Sequence, residues 1–244
     1  MLIFAIDTAT LQGSFGWITV EGTDPSAPIA SHAILKAPAL PGHAETVLQR
    51  IEDVLSYGGY TLRDVDLFVF GRGPGTFTGV RIGLSTVKGI ALADDKPVIG
   101  VSSLEAVALS ANRPGLTAAL IDARRKELFA ALYDVTLSAD GRPLASPILE
   151  EWVGSAPEVL QRIADTAAAS NVHVTGNGIA PYRDRIDEAL NVSYAPETLW
   201  TPCPVTTARI GYLRYKFKGP DDLDTVAPVY IREPDAKLPS VKLK

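Results

Sequence analysis

The stretch GRGPGTFTGVRIG (71–83) places five glycines, one proline and two arginines behind the apolar run LFVF (67–70). A glycine-rich turn between a strand and a helix is a ready phosphate cradle, because backbone amides can converge there on an anion. Both named versions of that chemistry fail on missing residues. A Walker A loop needs Gly-Lys-Ser/Thr at its end, and no window here supplies the lysine. A dinucleotide fingerprint needs a third glycine where Thr76 or Thr78 stands. The Gly-Pro-Gly run therefore reads first as a tight turn. An anion site involving Gly73 and Gly75 is the second reading. Gly79 and Gly83 raise a different question, since a glycine inside a helix costs about 1 kcal/mol against alanine. They lie four apart on one face, beside Val80, Leu84 and Val87 and flanked by Arg81 and Lys88. Their groove suits either packing within the same domain or docking of a helix from another chain.

Other reactive side chains are sparse. Asp7 and Asp122 each end an apolar run before a polar turn, where aspartate commonly forms the turn itself. Ser102-Ser103 follows a strand, and capping the next helix explains the pair. No Gly-x-Ser-x-Gly elbow occurs and no Ser-His-Asp set can be assembled, which argues against a peptidase. Cys203 is the one cysteine, so no intrachain disulfide can form, and it reads as a half-buried loop thiol. The three histidines, His32, His43 and His173, are too scattered to suggest a metal site. The run Asp122-Ala123-Arg124-Arg125-Lys126-Glu127 reads as a solvated hairpin turn. A net charge of −5 argues against a surface built for nucleic acid alone. The N-terminus lacks a leader pattern, no window approaches a membrane span, and a cytoplasmic location is expected.

The elements that position these residues follow from periodicity. Residues 2–7, 14–20 and 29–35 read as three strands, and a helix follows over about 43–57, ended by Gly58-Gly59. Residues 67–70 form a buried strand. A helix capped by Thr78 runs to about Ala93, and the strand 97–101 leads to a further helix. The order is β-β-β-α-β-α-β-α. It begins again with a hairpin over 117–123 and 127–135, a weak strand near 147–151, a helix over about 157–169 and the strand 172–175. Helices near 180–190 and 205–217 come after, and PVYIREP (228–234) reads as extended. Ala5-Ile6-Asp7 matches Leu120-Ile121-Asp122, and Gly71-Arg72-Gly73 matches Gly176-Asn177-Gly178. The chain is therefore read as two related α/β lobes, the second abbreviated. Strands alternating with helices in this way point to an α/β class.

Five segments in order resemble the TsaB family, also called YeaZ: IDTAT (6–10), GRGPGTFTGVRIG (71–83), KGIALADDKPVIGVSSLEAVA (88–108), IDARRKELFAALYD (121–134) and PVYIR (228–232). The resemblance runs from Met1 to about Arg232. It implies two ribonuclease H-like lobes of the actin, Hsp70 and sugar-kinase superfamily: residues 1–110, a shorter 111–232, and a tail at 233–244. It also implies a non-catalytic, cytoplasmic subunit. That subunit binds and activates TsaD for threonylcarbamoyl transfer to the adenosine next to the tRNA anticodon. The ATPase TsaE joins the pair, tRNA is reached only through the complex, and the chain forms a homodimer when alone. The docking seam is expected on helices 43–57 and 78–93, with Val47, Ile51, Gly79, Gly83, Leu84 and Val87 packed and Arg81 as a charged contact. A leucine at Gly83 is expected to keep the fold and abolish docking.

The same resemblance bears on catalysis. TsaD holds a metal through HxxxH, whereas here His43 is followed four residues later by Val47, so no metal is expected. His43 then reads as a helix-start or interface residue. Fold relatives that hydrolyse ATP carry Asp followed by Gly-Thr or Gly-Ser. Here Asp7, Thr8 and Thr10, with Gly73 and Gly75, read as a vestigial phosphate loop, and Ala9 and Ala123 stand where glycines are expected. No catalytic residue and no tightly bound cofactor are expected, and a nucleotide at the junction with TsaD is left open. The alternative is an actin-like-fold ATPase or small-molecule kinase acting alone.

Overall fold

A computed structural model describes residues 1–22, 24–38 and 44–232 of the 244-residue chain. His43 and the tail at 233–244 lie outside the described residues. The first half is β1 (Leu2–Asp7), β2 (Gln12–Val20), β3 (Ile29–Pro38), α1 (Ala44–Ser56), β4 (Leu67–Gly71), α2 (Phe77–Asp94), β5 (Val98–Val101) and α3 (Ser103–Ser110). The second is β6 (Gly115–Arg124), β7 (Glu127–Leu137), β8 (Pro143–Ser155), α4 (Ala156–Ala167), β9 (Val172–Thr175), α5 (Ile179–Ala189), β10 (Val192–Tyr194) and α6 (Pro204–Lys218). The first sheet is ordered β3-β2-β1-β4-β5 and the second β8-β7-β6-β9-β10. In each sheet the first three strands pair antiparallel and the last two join in parallel. This is the ribonuclease H-like order, met twice. The second lobe is shorter in its helices, 12 and 11 residues against 13 and 18, and in the three-residue β10. Its strand count is not reduced.

Three local expectations shift. The cap of α2 is Thr76, two residues before the expected Thr78, because Thr76 is extended and its hydroxyl accepts from the Gly79 amide at 3.3 Å. The weak strand near 147–151 is the middle of the 13-residue β8. The 228–232 segment pairs with no sheet. It is held by a backbone bond from Val229 N–H to the Arg72 carbonyl at 2.8 Å and by side-chain contacts of Tyr230 with Arg81 and of Arg232 with Glu127.

The unbroken apolar runs of β1 and β4 are explained by burial on both faces. On its outer face the first sheet packs Phe4, Phe15, Phe68 and Phe70 against Ile51 of α1 and Val87 of α2. Trp17 donates its indole N–H to the Val54 carbonyl at 2.7 Å and fixes α1 there. The second sheet covers its outer face with α4 and α5 in the same way. A middle core lies between the two inner faces and combines Ile3, Val69 and Ile99 with Leu104, Ile121 and Tyr212.

The middle layer is exchanged. Helix α3 follows the first sheet in the chain but packs on β6, β7 and β8. Helix α6 follows the second sheet but packs on β1, β2, β4 and β5. A Cβ at Gly211 of α6 would sit inside 3.0 Å of the Val69 side chain, so glycine permits this close approach. Residue 110/111 therefore separates the sheets in sequence but not the layers in space.

Candidate functional site: the glycine-rich turn and the face of α2

The glycine-rich turn is closed by the chain's own first hairpin. Thr76 N–H donates to the Ala9 carbonyl at 2.7 Å, and the Thr8 hydroxyl donates to the Gly79 carbonyl at 2.7 Å. A Cβ at Gly75 would fall within 3.0 Å of the Ala9 carbonyl, at Gly79 on the Thr8 carbonyl, and at Gly83 on the Thr8 hydroxyl. The glycines thus admit the β1–β2 turn against α2. Of the two readings of their groove, packing within the same domain is the one these contacts fit.

Asp7 lies at the centre of this contact, 2% exposed. One carboxylate oxygen accepts from Ala9 N–H at 2.8 Å and the other from the Ser103 hydroxyl at 2.7 Å. Burial outweighs these two bonds and pushes its pKa up to about 6. Thr8 and Thr10 are buried too, and the Thr10 hydroxyl donates to the Gln12 carbonyl. Gly73 has φ of 94°, and its carbonyl accepts from Ser103 N–H, tying the turn to the start of α3. Asp122, the second-lobe counterpart, is half-buried, its side chain 19% exposed. Its carboxylate accepts from Arg124 N–H at 2.9 Å and pairs with the Arg124 guanidinium at 3.3 Å.

The expected docking seam does not lie on the surface. Val47, Ile51, Leu84 and Val87 are buried in the outer core of the first lobe, where their apolar groups already have partners. Arg81 is exposed as expected. Its guanidinium stacks over Phe77 at 3.6 Å from the ring centroid and donates to the Tyr230 hydroxyl at 2.7 Å. A leucine at Gly83 would now strike Thr8 and damage the fold before it tested docking. What α2 presents outward is the row Thr78, Ser85, Gly89 and Leu92, with the half-buried Ile82 between Thr78 and Ser85 leaning on the core. Leu92 is 64% exposed, and a Cβ at Gly89 would meet nothing. A shallow groove of about 460 Å³ runs from Phe77 along Ile82 and Ser85. Leu48 adds an exposed apolar group on α1. The apolar stripe that periodicity marks on α2 faces this chain's own core, as an apolar stripe at helical spacing does by default.

Around the α3 terminus, Ser102 accepts from Glu105 N–H as N-cap and donates to Glu151. Glu105 pairs with Arg214 of α6. Burial pushes both Glu105 and Glu151 above the usual carboxylate range. Ser102 thus ties α3 to β8, and Ser103 ties it to Asp7 and the Gly73 carbonyl. Cys203 is half-buried at the N-cap of α6. Among the described residues no three His, Cys, Asp or Glu side chains converge as metal ligands, and no helix is long and apolar enough to cross a membrane.

Duplicated sheets with exchanged helices define a two-lobed protein of the ribonuclease H-like, actin-type class. The family model described as TsaD: tRNA N6-adenosine threonylcarbamoyltransferase matches residues 37–188. The chain belongs to this family, on its TsaB (YeaZ) side. It is 40% identical over 136 residues to the tRNA threonylcarbamoyladenosine biosynthesis protein TsaB of Escherichia coli, covering 54% of this chain and 55% of that protein. Against TsaB of Haemophilus influenzae it is 29% identical over 196 residues, 78% of this chain and 80% of that one. The aligned part thus spans about half of the first relative's length and four-fifths of the second's. The solved structure of YeaZ from Pseudomonas aeruginosa superposes with a TM-score of 0.74 at 26% identity, over 94% of this chain and 99% of that one. A second Pseudomonas aeruginosa structure, described as similar to peptidase YEAZ, gives 0.75 at 28% identity over 95% and 99%.

Proposed function

We propose that this chain serves threonylcarbamoyladenosine formation on tRNA as a non-catalytic subunit that docks on TsaD and activates it. The outward row of α2, from Thr78 through Ser85 and Gly89 to Leu92, carries this reading. An exposed leucine beside a glycine with open space above it is a surface that a helix can approach closely. Burying such a face at about 25 cal/mol per Å² offsets part of the entropy lost on association. Two further points support a non-catalytic role. The turn that would hold a phosphate is sealed by Thr8 and Ala9, and the hydroxyls of Ser102 and Ser103 are engaged by Glu151 and Asp7. In this reading TsaE joins the pair, tRNA is engaged through the complex, and the free chain self-associates through the same face. No cofactor is held tightly by the chain, and it acts in the cytoplasm.

The test is Leu92→Arg mixed with TsaD. The variant should melt like the unmodified chain, lose at least about tenfold in affinity for TsaD by calorimetry, and fail to support tRNA modification in a reconstituted reaction. Affinity equal to that of the unmodified chain would overturn the placement of the surface. Magnesium-dependent ATP turnover by the chain alone, lost in Asp7→Ala, would overturn the non-catalytic assignment and favour a kinase-like enzyme.

A further inference from the structure

Hinge closure around a cleft is a common way for two-lobed proteins to work. Here a cleft of about 660 Å³ lies between the start of α2, the β6–β7 turn and residues 229–232, with Phe77, Tyr230 and four arginines on its walls. We propose that it neither opens nor closes: the lobes are locked into one rigid body, with Lys36 and Arg142 as the locking residues.

Three observations carry the proposal. First, the lobes share a core. Ile3, Val69 and Ile99 of the first sheet and Ile121, Ala131 and Val135 of the second belong to one buried cluster. Any separation of the sheets returns these groups to water. Arg214 of α6 stands where the exchanged helices meet. It donates to the Gly100 carbonyl of β5 at 3.1 Å and pairs with Glu105 of α3.

Second, an apolar layer can still shear, and the β2–β3 hairpin is tied to the second lobe at both ends. At its loop end, the Arg142 guanidinium of the β7–β8 turn donates to the Pro25 carbonyl at 2.7 Å and pairs with Asp140. The loop is also held on its own side. Arg209 and Tyr212 of α6 donate to the Ala27 and Asp24 carbonyls at 2.6 Å and 3.0 Å. At the opposite end, the Lys36 ammonium donates to the Thr198 carbonyl at 2.6 Å and the Thr201 hydroxyl at 3.0 Å. Those acceptors are anchored to the second sheet. Ala195 N–H donates to the Val174 carbonyl of β9, and Trp200 packs on the outer core of that lobe.

Third, the two ties are far apart. Ile29 to Lys36 spans about 24 Å at about 3.4 Å per residue. A lobe rotation of about 10° pivoting on one tie would carry the other through about 4 Å, more than a hydrogen bond stretches. Either tie alone would serve as a pivot, whereas the pair resists rotation. The second lobe is then a brace for the first, and the chain acts on any partner through a fixed surface.

Double electron–electron resonance on the full chain tests this, with nitroxides at Glu52→Cys on α1 and Gln161→Cys on α4 in a Cys203→Ser background. Both label positions are exposed. The labelled parent should give one narrow distance population, unchanged by millimolar ATP and magnesium. Lys36→Ala combined with Arg142→Ala should widen that population at least about twofold. A role in stability alone would lower the melting temperature and leave the width as it was. Thermal melting checks that the double variant is folded, and Lys36→Met alone replaces it if it is not. Two populations in the parent, a shift on adding ATP and magnesium, or an unchanged width in the folded variant overturns the proposal.

Discussion

The two hairpin turns that begin the lobes share a position in the fold and differ in almost everything else. The β1–β2 turn follows Asp7, is buried, and is locked under α2 by Thr8 and Ala9. The β6–β7 turn follows Asp122, is basic, and lines the cleft between the lobes. In a duplicated fold, the copy sealed by its neighbours has become part of the core, where any added atom is a clash. The copy left open keeps freedom to carry charge. The contrast also separates the two aspartates: one is a buried acid held by hydroxyl and amide donors, the other a half-buried carboxylate paired with an exposed arginine.

The largest expected effect breaks the sealed turn. Gly79→Val should cost about 4 kcal/mol or more in urea unfolding, because the Thr8 carbonyl cannot move aside. The matching change in the open turn should have the opposite sign. Arg125→Gly should stabilise by about 1 kcal/mol, since glycine tolerates the positive φ.

Next comes acid–base behaviour. The folded-state pKa of Asp7, about 6, lies above the value of 3.8 expected for the unfolded chain. The folded state therefore keeps its proton where the unfolded state has released it. Stability is full below about pH 4 and falls by about 3 kcal/mol as the pH rises to about 6. Asp7→Asn should remove this component, so that the difference in urea midpoint between variant and parent grows from pH 4 to pH 7. A stability profile of the parent that stays flat from pH 4 to pH 7 would remove the buried acid from the account of the sealed turn. The smallest effect is Gly89→Ala on the outward face of α2, which should raise stability by up to about 1 kcal/mol in the same assay. A loss there would mean that the face is already covered.

Much of the fold was legible because strand runs and glycine turns recur in the same order in both halves. The string matches at Asp7 and Asp122, and at Gly71 and Gly176, fall near the ends of corresponding strands but not in one register, since β6 runs on to Arg124 and Gly176 lies beyond β9. The glycines of α2 were legible as close-contact residues, but not their partner. Thr8 is about 70 residues away in sequence, and nothing local distinguishes a hairpin turn from a foreign helix as the approaching group. Val47, Ile51, Leu84 and Val87 were read as a seam because an apolar stripe carries no sign of whose core it joins. The aromatic and arginine-lined cleft escaped notice because Phe77, the β6–β7 turn and Tyr230 come from three distant segments, and the middle one reads alone as a solvated turn.

The exchange of α3 and α6 between sheets has a consequence for synthesis on the ribosome. The inner face of the first sheet, including Ile3, Val69 and Ile99, receives its cover from a helix that begins at Pro204. By the time that helix emerges, the strands it must cover have long been made. During that interval the N-terminal half carries a bare apolar face, of the kind that holding chaperones protect. The two halves therefore mature together, each supplying the piece the other lacks.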